Sequence, residues 1–145
     1  MKYLVPIGRI FYSLIFLMAI ASHFSEQAAA HAAKMGVPYP NILVPLSGVL
    51  AFVGGLSIAL GYKAKAGAWL IILFLVPVTL CMHAFWKETD VMAMHMQMAN
   101  FMKNTSMIGT ALLIAYFGAG PLSLDKALQH KLKVKGFIKE DLKKQ

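Results

Sequence analysis

"ILVPLSGVLAFVGGLSIALGY", Ile42 to Tyr62, carries no charged side chain. Wound as an α-helix, a run of this length covers about 30 Å, the thickness of a bilayer's hydrocarbon core. Gly48, Ala51, Gly55 and Ala59 recur along it as a stripe of small residues. Such a stripe lets backbones approach closely, within the chain or against another subunit. The segment therefore reads as a membrane-crossing helix built for packing rather than for chemistry.

Three more apolar runs flank it, from Leu4 to Phe24, Gly67 to Trp86 and Ala99 to Phe117. The last has Lys103 and Asn104 in its first turns, and a lysine that near an end can extend its ammonium to the headgroups. Across the 145 residues hydrophobic side chains make up 59% and charged ones 14%, a balance that excludes an ordinary water-soluble domain. The expected fold is all-α: an integral membrane four-helix bundle over residues 1–121, followed by a Lys-rich amphipathic tail over 122–145. No internal repeat or second domain is seen.

Charge sets the expected orientation. Lys2, the turn holding Lys63 and Lys65, and the tail with Lys126, Lys131, Lys133, Lys135, Lys139, Lys143 and Lys144 would share one side. The other side would keep Lys34, Lys87 and Lys103, diluted by Glu26, Glu88 and Asp90. The positive-inside rule then places both termini in the cytoplasm of a bacterial inner membrane. The net charge of +8 is read as attraction to a membrane surface, with no nucleic-acid partner. "LIFLMAIAS" also resembles a signal-peptide core, but Arg9 interrupts its start, which favours a retained span. Cys81 is the one cysteine, so an intrachain disulfide and a Cys pair for thiol chemistry are excluded.

Ionisable groups inside a span are costly and point to function or to interior packing. Arg9, Tyr12, Ser13, Phe16, Ile20 and His23 fall on one stripe of the first helix, which predicts that this face looks into the bundle. Arg9 is read either as a buried group or as an anchor at the inner headgroups. Val76, Thr79, His83 and Trp86 share a face of the third helix, which Pro77 should bend. His23 and His83 then lie at similar depth, where they could bind a quinone carbonyl, ligate haem or a metal, or simply hydrogen-bond a neighbouring helix. Glu26, Gln27 and His31 are expected in a loop on the same side. No strong metal motif is present.

Between the third and fourth runs, "VMAMHMQMANFMKN" from Val91 to Asn104 alternates methionine with other residues. As a strand it would line up Met92, Met94, Met96 and Met98, and as a helix it would scatter them. Thioethers with an imidazole suit Cu(I), which makes Met94, His95, Met96 and Met98 candidate ligands. Methionine is equally an adaptable filler and ligand-lining residue.

"MQMANFMKNTSMIGTALLIAYFGAGPLSLD", Met96 to Asp125, resembles the end of the DoxX family of small four-helix membrane proteins, through Phe101, Lys103, Asn104, Gly109, Gly118, Gly120, Pro121, Ser123 and Asp125. "GRIFYSLIFL" and "HAFW" are similar to that family's first and third helices. The resemblance implies an association with respiratory or sulfur-linked redox complexes that use quinones, and no defined reaction. The expected function is an accessory subunit of a quinone-linked redox complex rather than a catalyst on its own. Its ligand site would gather Arg9, His23, His83, Trp86, Phe101, Lys103 and Asn104. Copper handling by the methionine run and a purely structural role, with oligomer contacts through Gly48, Ala51 and Gly55, are the alternatives. After Pro121, Ser123 can cap a helix that sets Leu124, Leu128 and Leu132 on one face among lysines.

Overall fold

The computed structural model describes residues 2–142, with the backbone alone for 134–142. Lys143 and Lys144 lie outside the described residues. The described chain is helical throughout, with no strand: α1 (Leu4–Met18), α2 (Ile20–His23), α3 (Glu26–Lys34), α4 (Pro40–Leu60), α5 (Ala64–Met82), α6 (Val91–Phe117) and α7 (Leu124–Leu142). A short 3-10 turn, Phe85–Lys87, links α5 to α6. α1 and α2 together, α4, and α5 with its following turn are each long and apolar enough to cross a membrane. α6 is longer than any of these, at 27 residues. Its first half carries Gln97, Asn100, Lys103 and Asn104, which dilute the hydropathy by which the others qualify.

Exposure runs opposite to that of a water-soluble protein. Phe11, Met18, Leu73, Leu113 and Phe117 face outward, while Arg9, Ser13, Thr79 and Asn104 are buried. A surface of this kind is solvated by lipid, and the buried interior is rich in alanine and glycine. Apolar side chains gain nothing by leaving hydrocarbon, so close backbone approach and polar contacts supply the packing force. α4 is central, touching α1, α2, α3 and α5, and α6 packs along α5. At the α4–α5 crossing Gly54 faces Gly67: a Cβ added to either would lie 2.9 Å from the other's carbonyl oxygen.

The small-residue stripe is used inside the chain. A Cβ on Gly48 would meet His23, one on Gly55 would lie 2.9 Å from Phe16 Cβ, and Ala51 is buried in the core. Gly48, Ala51 and Gly55 are thus covered by the chain's own α1, α2 and core. This corrects their expected role as oligomer contacts.

One further expectation is corrected. Residues 26–34 form a helix rather than a loop, because Ser25 Oγ accepts from Ala28 N at 3.2 Å and an alanine-rich run follows. Ala29 and Ala32 form its buried face where α3 packs on α4. The methionine run is helical, since Asp90 caps α6 by accepting from Ala93 N at 2.8 Å. One helix turns about 100° per residue, so Met94 and Met98 share one face of α6 while His95 and Met96 turn away from it.

Candidate functional site

The candidate site begins where the first span breaks. The Ala19 carbonyl accepts from Ser22 Oγ and from His23 Nδ1, each at 2.7 Å. Side chains competing for a helix carbonyl in this way favour interruption of the ladder, and α1 gives way to α2 at this residue. The His23 side chain sits against Gly48, where any larger residue would collide with it. Its ring meets the Phe74 ring edge-on at 5.8 Å between centroids.

Across from it, α5 ends at Met82, and His83 Nδ1 donates to Gln97 Oε1 at 2.8 Å, tying the end of α5 to α6. Ser22, His23, His31, Ser47, Cys81 and His83 are the polar residues around a cavity of about 560 Å³. Phe74, Pro77 and apolar side chains of α3, α4 and α5, with Val37 between α3 and α4, form the rest of its wall. That volume falls in the range of small-molecule sites, which are typically apolar with a few placed polar groups. Each of the two spans' imidazoles has spent Nδ1 on a protein oxygen, so a cofactor or metal reaching them would meet Nε2. Among the described residues no group of three or more His, Cys, Asp or Glu side chains is placed to hold a metal ion.

The expected site residues do not assemble as one. His23 and His83 border the cavity; Arg9, Trp86, Phe101, Lys103 and Asn104 do not. Trp86 was expected on the His83 face, but α5 has ended before it, and Trp86 instead joins Phe85 and Phe101 in a cluster of edge-on rings 5.2 to 5.8 Å apart. That cluster fastens the 3-10 turn to α6. Val76 is 40% exposed, so of the predicted stripe on α5 only Thr79 and His83 turn inward. Lys103 donates to Asn100 Oδ1 on the exposed side of α6. Asn104 is buried with Ala111 on the inner side of the same helix.

Arg9 lies at the opposite end of α4, and it holds backbone rather than ligand. Its guanidinium donates to Ala119 O and, at 2.8 Å, to Leu122 O. Those carbonyls belong to a turn in which Gly118, Gly120 and Leu122 have positive φ. Asp125 completes the clasp by accepting from Lys63 N at 2.9 Å and Ala64 N at 3.4 Å, while its own N–H donates to Gly61 O at 3.0 Å. The carboxylate therefore caps α5 from a distant part of the chain. Ser123 Oγ accepts from Lys126 N and caps α7. Gly61, at φ +64, admits no side chain here, because a Cβ would strike the Arg9 guanidinium and lie 2.6 Å from Ser123 Cβ.

Sequence reasoning missed Ser47 and Phe74 as site residues. Their only signal is position, one residue before Gly48 and one turn before Pro77, which becomes visible once α2 is known to cross α4 at Gly48.

Comparison with known proteins agrees with this architecture. The DoxX family model matches residues 4–84, which takes in α1 through α5 and the first residues after it. The inner membrane protein YphA of Escherichia coli (strain K12) is 32% identical over 94 residues, 65% of this chain and 66% of YphA, so the match spans just under two thirds of that relative. The inner membrane protein YqjF of the same organism is 28% identical over 127 residues, 88% of this chain and 93% of YqjF. No solved structure matches. With the family model covering more than half its length and its helices clad in apolar side chains, the chain belongs to the DoxX family of membrane proteins.

Proposed function

We propose that the chain is a four-helix inner-membrane protein that holds a quinone-class ligand between α2, α4 and α5, as an accessory subunit of a quinone-linked redox assembly. The cavity of about 560 Å³ carries this reading, because it joins an apolar wall to two imidazoles drawn from separate spans. An apolar ring with polar oxygens is the kind of body such a site accommodates. α6 completes the bundle as its fourth span, supported by its packing along α5 and by its apolar second half. Titration of the purified chain with a short-tailed quinone in its reduced, hydroquinone form should saturate one site. His23→Ala and His83→Ala should each weaken it about tenfold, the worth of one well-placed hydrogen bond. Equal affinity in both variants and the parent would remove the imidazoles from the site.

In the same reading both termini face the cytoplasm, and the histidine cavity lies toward the outer leaflet. Lys63, Lys65 and Lys126 surround a hollow at the Gly118–Gly120 turn, which collects positive charge at one end of the bundle. α7 continues from there with Leu124, Leu128 and Leu132 exposed, suited to rest on anionic lipid, where each basic residue contributes about 1 kcal/mol. Lys65→Cys in a Cys81→Ser background should escape a membrane-impermeant maleimide in intact cells and react after lysis. Glu88→Cys should react in both. The reverse pattern would invert the topology.

A further inference from the structure

Four of the polar groups around the cavity have a common feature: their protons are already committed. Ser22 Oγ and His23 Nδ1 both donate to Ala19 O, Ser47 Oγ donates to Val44 O at 2.7 Å, and His83 Nδ1 donates to Gln97 Oε1. A backbone carbonyl can only accept, so the direction of the bonds from Ser22, His23 and Ser47 is fixed by chemistry. Each hydroxyl is left with oxygen lone pairs, and each neutral imidazole with the lone pair of Nε2. Pro77 supplies no N–H, so the Leu73 carbonyl lacks its ordinary intrahelical donor, and both residues border the same cavity. Among the described residues no carboxylate borders it. The other two polar side chains there are exposed: His31, whose neutral ring keeps one N–H, and the Cys81 thiol, a weak donor.

We infer that this is a cavity of acceptors, which selects a membrane-soluble ligand by the hydroxyl protons it brings: a hydroquinone or related phenol rather than the corresponding quinone. A quinone offers two carbonyl oxygens, which also only accept, so placing it against Nε2 or a committed serine leaves facing lone pairs unpaired in an apolar site. A hydroquinone of the same shape donates to them. An unmade hydrogen bond between buried groups is penalised more than a made one is rewarded, so discrimination rests mainly on rejection of the oxidised form. The inference rests on the reading of the cavity as a ligand site and specifies which redox form that site holds.

The test compares three probes of one shape on the full chain in nanodiscs at about pH 8, above the ordinary titration of imidazole. They are a short-tailed benzoquinone, its hydroquinone kept reduced without oxygen, and the hydroquinone's dimethyl ether, which has the oxygens but no proton to give. The hydroquinone is expected to bind about tenfold tighter than the other two. His23→Phe and His83→Phe, in preparations whose melting temperature matches the parent's, should shrink that ratio. Binding of the quinone as tight as the hydroquinone, or of the ether as tight as the hydroquinone, overturns the inference while leaving a ligand site in place. A ratio unchanged in both histidine variants overturns the assignment of the acceptors. Binding of none of the three removes the ligand site and the inference together.

Discussion

Arg9→Met should destabilise the folded chain by about 3 kcal/mol, in the range for breaking a buried, hydrogen-bonded cation out of its partners. Arg9 is 5% exposed, and its two terminal nitrogens hold the carbonyls of Ala119 and Leu122. Methionine keeps the apolar stem and loses the fork, so those carbonyls are left without their donor at the end of the bundle. Arg9→Lys should fall between parent and Met variant, because an ammonium keeps the charge but cannot reach both oxygens in a fixed plane. Asp125→Ala removes a helix cap and should cost less, about 1 kcal/mol. Thermal unfolding in mild detergent measures the series. A melting temperature for Arg9→Met equal to the parent's would show that the guanidinium is not a clamp.

Gly67→Val is expected to be comparably damaging, about 3 kcal/mol, at the upper end of overpacking costs in well-packed cores. A Cβ at Gly67 would stand 2.6 Å from the Cβ and Oγ of Ser57 and 2.9 Å from the Gly54 carbonyl oxygen. The serine side chain can rotate, but the carbonyl belongs to the α4 backbone and moves only if the helix moves. Separation of α4 from α5 would open the core around Ile58 and Ile71, both fully buried. Gly109 on α6 supplies the contrast, since nothing lies within 4 Å of a Cβ placed there. Gly109→Ala should leave stability unchanged or raise it by up to about 1 kcal/mol through helix propensity. Equal losses at both positions would mean that the α4–α5 crossing is looser than its geometry.

The spans were legible because length and hydropathy are properties of the chain itself. Ile42–Tyr62 differs from the observed α4 by two residues at each end. The inward stripe of α1 was also legible: Arg9, Ser13 and Phe16 are its buried residues, as the 3.6-residue period requires. What Arg9 holds could not be read, because its partners are backbone oxygens, which every residue carries and no side chain announces. His23 and His83 could be picked out as polar groups in apolar runs. Trp86 falls with them only when helical periodicity is extended past the end of α5, where His83 already leaves it, and Phe101, Lys103 and Asn104 join them through the DoxX resemblance of the fourth run. The α3 helix escaped because nine residues rich in alanine give no long apolar repeat. The Ser25 cap beside them was the available sign. The family match over residues 4–84 stops short of the Met96–Asp125 stretch that carries most of the resemblance.

The clasp on Arg9 also bears on how the protein is made. Ala119 lies 110 residues after Arg9, so at bacterial or eukaryotic rates of about 5–20 residues per second the cation is synthesised roughly 5–20 s before the oxygens that receive it. Throughout that interval the first helix has no partner for its charge, and water or lipid phosphate at the bilayer edge must serve instead. Its final depth is therefore settled late, when the turn from Ala119 to Leu122 arrives to relieve the solvent of that duty.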